Sequence, residues 1–230
     1  MARRGKRYQK VAALMDRGRT YELAEAIQFI KDHPAADFDE TLEVAFRMGL
    51  DPAKSDQTLR GVVSLPHGTG KKVRVIVFAD GPAAEAARAA GADAAGLQDL
   101  VEKVQEGWTD FDVAIATPDA MKEVRKLGKV LGPRGLMPNP KTGTVVTDTA
   151  AAVRQFLAGR VEFRMDKTGN AMVPFGKRSF PVQALVENCQ AVIDAIRAAR
   201  PASAKGVYIR RCTVSSTMGP GLHVNVRDSE

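Results

Sequence analysis

Hydrophobic residues recur along this chain with two periods, and the dominant period changes twice. Behind a short helical pattern on Val11, Leu14 and Met15, the residues Leu23, Ala26, Ile27 and Ile30 share one face. With Thr20 as a suitable N-cap, they predict a helix to about Lys31, ahead of Pro34. Residues 41–49 then alternate, with Leu42, Val44, Phe46 and Met48 inward and Glu43 and Arg47 outward. That is the pattern of a half-buried strand. A second strand is expected over 58–65, closing at Pro66.

From Lys71 strands and helices alternate. The segment KKVRVIVFAD (71–80) and FDVAIA (111–116) read as strands. Helices are expected over 83–90, 97–105, 118–127 (with Pro118 in its first turn) and 149–157. This alternation predicts βαβ units around a small parallel sheet. Beyond Gly159 the hairpin grammar returns. VEFRM (161–165) and AMVPF (171–175) flank a DKTGN turn. A long amphipathic helix follows over 182–198 on Val186, Cys189, Ile193 and Ile196. Strands 207–212 and 222–226 are joined by TVSSTMGPG (213–221).

The expected fold is therefore an α+β domain, an antiparallel sheet with helices, interrupted by an α/β domain. The boundaries fall at HGTG (67–70) and AGR (158–160), both suited to be hinges. Pattern alone leaves open whether the outer pieces unite. A length of 230 residues with 44% hydrophobic content supplies enough apolar material for two cores. No apolar run reaches about 18 residues and no signal-peptide pattern occurs, so a soluble, cytoplasmic protein without membrane partners is expected. Cys189 and Cys212 form no CxxC motif, and the three histidines stand far apart. No metal or cofactor is expected.

Charge changes the picture. The net charge is +7 with a pI near 9.5, which points to an anionic partner. The stretch GKVLGPRGLMPNPKTGTV (128–145) lies inside a run from Val124 to Thr147 without Asp or Glu. Its glycines and prolines predict a long cationic surface loop. An acid-free N-terminal stretch with Arg3, Arg4, Lys6, Arg7 and Lys10 has the composition of a basic arm for RNA.

Candidate chemistry narrows the choice. GTGKK (68–72) is not a phosphate-binding P-loop: Leu65 stands where the first glycine belongs and Lys72 where Ser or Thr belongs. The dinucleotide GxGxxG is absent, and no nucleophile has a neighbouring base. In 213–221, Ser215, Ser216 and Thr217 offer hydroxyls, Met218 an adaptable apolar contact, and Gly219 and Gly221 room for another backbone. Aromatics make up only 6% of the chain. Shape recognition of folded RNA is thus preferred to a stacking platform.

The blocks FDET (38–41), SDQTLRGVVSLPHGTGK (55–71), GPRGLMPNPKTGTV (132–145), DKTG (166–169), AKGVYI (204–209) and STMGP (216–220) resemble the bacterial large-subunit ribosomal protein L-one family. This is the family of the mobile stalk beside the tRNA exit site. The resemblance implies a split architecture. Residues 1–67 plus 160–230 would form a discontinuous rRNA-binding domain, and 68–159 an inserted Rossmann-like domain. The hinge would lie at Pro66, His67 and Gly68 on one strand and at Gly159 and Arg160 on the other.

The rRNA contacts implied are Phe38, Thr41, Arg164, Lys167, Thr168, Ser216, Thr217, Met218, Gly219 and Pro220. Arg134, Asn139 and Lys141 would make secondary RNA contacts and face exit-site tRNA. The implied partners are large-subunit rRNA, exit-site tRNA, the protein's own mRNA and the ribosome, with no small-molecule substrate and no catalysis. Departures from the family pattern are Asp37, where relatives often have lysine, Met165, where they often have asparagine, and Met172, near a frequent histidine. Two rival readings are a nucleotide-binding α/β enzyme using the loop at 128–145, and a free translational repressor acting mainly on mRNA.

Overall fold

The computed structural model describes residues 5–16 and 18–226. The arm residues Arg3 and Arg4 lie outside them, as do the side chains of Ser55 and Lys141. The chain forms two compact units: one holds residues through Gly70 and from Val161 onward, the other Lys71–Arg160.

In the first unit, α1 (Lys6–Ala13) and α2 (Leu23–Asp32) precede β1 (Thr41–Met48) and β2 (Arg60–Ser64). Helix α2 starts later than its pattern predicts, and Thr20 does not cap it. Tyr21 instead bridges Val224, its N–H donating to His223 O at 2.8 Å, so the backbone stays extended through Glu22. In β1, Leu42, Val44, Phe46 and Met48 all point inward and are almost wholly buried.

The second unit follows one rule. Strand β3 (Val75–Phe78) lies between β4 (Ala94–Gly96) and β5 (Val113–Ala116), all parallel. All four residues of β3 are buried, as expected for a central parallel strand covered on both faces. Val75 and Val77 pack with Ala84 and Ala87 of α3 (Pro82–Ala89) and Val153 and Phe156 of α7 (Thr149–Leu157). Ile76 and Phe78 pack on the other side with Leu100 and Val104 of α4 (Gln98–Gln105) and Val124 of α5 (Met121–Val124).

Strand β4 has no clear sequence signal. It is held by the Asp93 carboxylate, which accepts the Val75 N–H at 2.8 Å. Helix α7 is capped by Asp148, whose carboxylate accepts the Ala151 N–H at 3.0 Å. Of the helix expected over 118–127, the α-helical part is Met121–Val124, preceded by a turn over 118–120 in which the Thr117 hydroxyl accepts the Ala120 N–H at 3.3 Å. It then runs through a 3-10 turn, Arg125–Leu127, into α6 (Gly128–Leu131).

The chain returns to the first unit through β6 (Arg160–Arg164) and β7 (Asn170–Lys177), then α8 (Val182–Ala198), β8 (Ile209–Ser216) and β9 (Leu222–Val224). The expected hairpin of 161–165 with 171–175 is reduced to one bridge, Met165 to Ala171. Strand β6 pairs with β2 in a two-stranded sheet, whereas β7 joins a four-stranded sheet of order β7-β1-β8-β9. Strand β8 is longer than expected and shifted toward its C-terminus. Val207 is exposed, and residues 213–216 pair with β1, so the connection shrinks to 217–221.

Helices α2 and α8 cover the inner face of the four-stranded sheet. Their cluster includes Leu185, Cys189, Val192, Ile193 and Ile196 of α8. Burial pushes the Cys212 thiol up to about 12 and raises Cys189 as well, so both are inert core residues.

The residues flanking the two chain crossings are each tied to their own unit. Asn188, fully buried on α8, accepts the His67 N–H at 3.0 Å and donates to Gly68 O at 2.9 Å and Phe175 O at 2.8 Å. The His67 ring meets Glu187 at 2.5 Å and lowers that carboxyl. Gly159 ends α7 at φ 104°, and Arg160 donates to Gln155 Oε1 at 2.6 Å.

Asn188→Ala should lower the unfolding free energy by about 1–3 kcal/mol, because the buried Phe175 carbonyl and the part-buried His67 N–H and Gly68 carbonyl lose their partner. Urea denaturation measures this directly. A loss under about 0.5 kcal/mol would mean that these bonds contribute little.

Candidate nucleic-acid interface

Strict alternation in β1 fixes what the four-stranded sheet shows on its uncovered face. Cross-strand register places Pro174, Glu43 and Ser215 in one row, and Met172, Ala45, Thr213 and His223 in the next. Asn170, Arg47 and Arg211 form a third row. Met172 is 56% exposed, and both arginines are exposed. Arg47 and Arg211 are direct cross-strand partners, and neither makes an ion pair among the described residues. Like charges placed opposite one another destabilise a sheet. A face that carries them without a counter-ion is suited to receive an anion.

At one end of this face the 217–221 turn is built around Glu40, which is 0% exposed. Its Oε1 accepts from the Ser216 hydroxyl and the Met218 N–H, both at 3.0 Å, and its Oε2 accepts the Ala35 N–H at 3.2 Å. Arg178 Nη1 is buried 3.9 Å away as its counter-charge. Thr41 and Thr217 clasp each other. The Thr41 N–H donates to Thr217 Oγ1 and the Thr217 N–H to Thr41 O, each at 3.1 Å. Lys177 Nζ adds a bond to Thr41 Oγ1 at 2.8 Å. Met218, within this turn, is 56% exposed, and Phe38, two residues before Glu40, is 53% exposed.

The structure thus gathers Phe38, Thr41, Thr217, Met218 and Gly219 at one pole. It assigns Ser216 and Pro220 a supporting place, since both are buried. The reason for the glycines also changes. Gly219 has no positive φ; a Cβ there would meet Ser216 Oγ at 2.5 Å, and one on Gly221 would meet Thr213 Cγ2 at 2.7 Å. The space beside both is filled from within and is not left open for an incoming backbone.

Arg164, Lys167 and Thr168 are exposed at the opposite pole. Asp166 shapes that turn, accepting the Asn170 and Thr168 N–H groups and the Thr168 hydroxyl, each at 2.8 Å. These bonds, led by that from Asn170, lower its carboxyl. The Met48 N–H donates to Gly169 O at 2.8 Å and locks the turn to the far end of β1. The two poles are therefore separated by the eight residues of β1, roughly 24 Å at about 3.4 Å per residue. Of the groups between them, Ser215 is among the candidate hydroxyls of 213–221, whereas Arg47, Arg211 and Glu43 are not among the contacts expected from sequence. The outward phase of β1 marks Arg47 and Glu43, but only the pairing of β8 places Arg211 and Ser215 alongside.

Among the departures from the family pattern, Asp37 pairs with Arg7 at 2.7 Å, Met165 is buried, and Met172 lies on the open face. The stretch 128–145 is more ordered than a free loop. Leu131 is fully buried, and Thr142 and Thr144 are buried with their hydroxyls on Asn139 O at 3.0 and 3.1 Å. The longest exposed run is residues 132–135, where the Arg134 guanidinium donates to Thr109 Oγ1. Among the described residues no group of three or more His, Cys, Asp or Glu side chains is placed to hold a metal. No helix among them is long and apolar enough to cross a membrane.

Two outcomes follow from this geometry. Glu40→Ala removes the acceptor of the Ser216 hydroxyl and of the Ala35 and Met218 N–H groups and should cost about 1–3 kcal/mol, with faster hydrogen exchange at the Met218 amide. Unchanged exchange there would show that Glu40 does not order the turn. Burial, aided by Arg211, holds His223 below its ordinary 6.5, so it is neutral at pH 7. Because the folded-state value lies below the unfolded one, this residue costs stability as pH falls below 6.5. Its NMR titration midpoint should rise in Arg211→Gln; no movement would place Arg211 too far away to act.

Residues 30–220 match the Ribosomal protein L1p/L10e family. That span contains both poles, the row of arginines and the whole Lys71–Arg160 unit, well over half of the 230 residues. The chain therefore belongs to the Ribosomal protein L1p/L10e family, whose general role is that of a structural, RNA-binding ribosomal protein.

Proposed function

We propose that the open face of the β7-β1-β8-β9 sheet grips large-subunit rRNA at the mobile stalk. Phe38, Thr41, Thr217, Met218 and Gly219 would take one pole, and Arg164, Lys167 and Thr168 the other. The observation that carries this reading is the Arg47–Arg211 pair, a like-charge contact that a phosphate backbone would neutralise. Family membership supports the choice of rRNA. On this reading the discontinuous unit is the rRNA-binding domain and Lys71–Arg160 is the inserted one. The inserted unit presents Arg134, Asn139 and Lys141 to exit-site tRNA and assists its release. The pivots are the crossings at Gly70–Lys71 and Arg160–Val161, flanked by Pro66, His67, Gly68 and Gly159. The same sheet face binds the protein's own mRNA and represses its translation. The working place is the cytoplasm, on the ribosome.

The test separates charge from shape. In the double variant Arg47→Gln/Arg211→Gln, binding to a stalk rRNA fragment should weaken and the salt slope should fall by roughly two units. Thermal stability should hold or rise, because the like-charge contact is gone. Thr217→Val should weaken binding with the slope unchanged, and should melt earlier because the Thr41 N–H loses its acceptor. A double variant that binds as tightly as the wild type, with the same slope, would overturn the assignment.

A further inference from the structure

Trp108 is the chain's sole tryptophan and is 36% exposed on the α/β unit. It is held in place from below. Its ring centroid lies 5.5 Å from that of Phe111, tilted by 51°, and Phe111 is buried in the core beneath α4. The Trp108 N–H donates to Lys103 O at 3.1 Å, after Gly107 turns the chain out of α4 at φ 103°. The next residue, Thr109, accepts a hydrogen bond from the Arg134 guanidinium, which ties the exposed turn 132–135 to the residue adjacent to Trp108 in the chain.

Two acids flank this corner, and both are occupied. Asp110 is ion-paired with Arg74. Asp112 accepts from Lys71 Nζ at 2.6 Å and from the Arg74 N–H at 3.0 Å. Burial alone would raise the Asp112 carboxyl, but these partners outweigh it and its pKa is lowered. Arg134 pairs with no carboxylate among the described residues, and its guanidinium has donors to spare. An indole supported from below, one residue from the partner of such a guanidinium, can stack an unpaired base while the guanidinium holds a neighbouring phosphate.

The surroundings favour RNA over a protein partner. The other large exposed hydrophobic described in this unit is Leu157, on α7, which packs against the opposite face of the β4-β3-β5 sheet. Trp108 therefore stands apart from any broad apolar patch of the kind a protein interface buries. We propose that Trp108 and Arg134 form a second RNA contact, taking one unpaired nucleobase on the indole and its phosphate on the guanidinium. The proposal rests on the RNA-binding reading of the chain but not on the sheet-face site.

The sole tryptophan is its own reporter. Titrating the full-length protein with an oligoadenylate of about ten nucleotides, within the site sizes of single-strand binders, should quench the indole emission saturably. Arg134→Gln should right-shift that curve several-fold. Trp108→Leu, followed by anisotropy of a labelled oligonucleotide, should weaken binding about 5- to 150-fold. The double variant Arg47→Gln/Arg211→Gln should quench like the wild type, so failure of the sheet-face reading is distinguishable from failure here. An indole that does not respond, a curve unmoved by Arg134→Gln, or quenching abolished by the sheet-face variant would overturn the proposal. So would emission that ignores the oligonucleotide but shifts with purified ribosomal protein.

Discussion

The first unit depends on β1 lying between β7 and β8. Thr41–Met48 comes from the first quarter of the sequence, and both partners come from its last third. This pairing closes a single sheet from two distant pieces of chain, with the Lys71–Arg160 unit between them in sequence. The inner side chains of β1 are close to fully buried, so its register is strongly fixed. A slip by one residue would turn Leu42, Val44 and Phe46 to solvent and bring Glu43 and Ala45 inside. The same register decides which groups stand in rows on the open face, including Arg47 opposite Arg211. Core formation and display of the groups proposed to face RNA are thus consequences of one alignment.

Glu40 extends that alignment past the end of the strand. A wholly buried carboxylate is costly unless it is paired and hydrogen-bonded. Here it collects the Ser216 hydroxyl and two backbone N–H groups, with Arg178 as counter-charge. The consequence is a turn at 217–221 that is rigid while Thr217 and Met218 remain exposed. At the far pole Asp166 does similar work in solvent, ordering the turn that bears Lys167. Preorganised turns at both ends of a flat face suit recognition of RNA by shape, since little ordering remains to be done on binding.

The sequence made some of this legible and hid the rest for physical reasons. Alternation in 41–48 and the 3.6-residue period of 182–198 come from burial on one face, which is local information. Helix α8 therefore begins and ends where its pattern predicts. Features that depend on a distant partner were not visible in the same way. Thr20 looked like a cap until Tyr21 was drawn onto Val224, and 213–216 looked like loop until it paired with β1. The segments 161–165 and 171–175 had hairpin grammar, but β2 and β1 took their edges separately. At the candidate site, composition marked the hydroxyls and glycines of 213–221. It could not show that Ser216 turns inward to Glu40, or that Thr217 Oγ1 is already engaged by the Thr41 N–H. Likewise the scarcity of aromatics argued against stacking in general. It could not show that Arg134 is bonded to Thr109, the residue next to Trp108.

The central claim is that RNA lies along the open sheet face from one pole to the other. Hydrogen-exchange footprinting of the full-length protein, free and bound to a stalk rRNA fragment, tests it most directly. The account predicts slowed exchange at both the 166–170 and 217–221 turns together with the edges of the sheet, and a much smaller change in residues 132–145. Protection confined to 132–145, with both sheet turns unchanged, would contradict it.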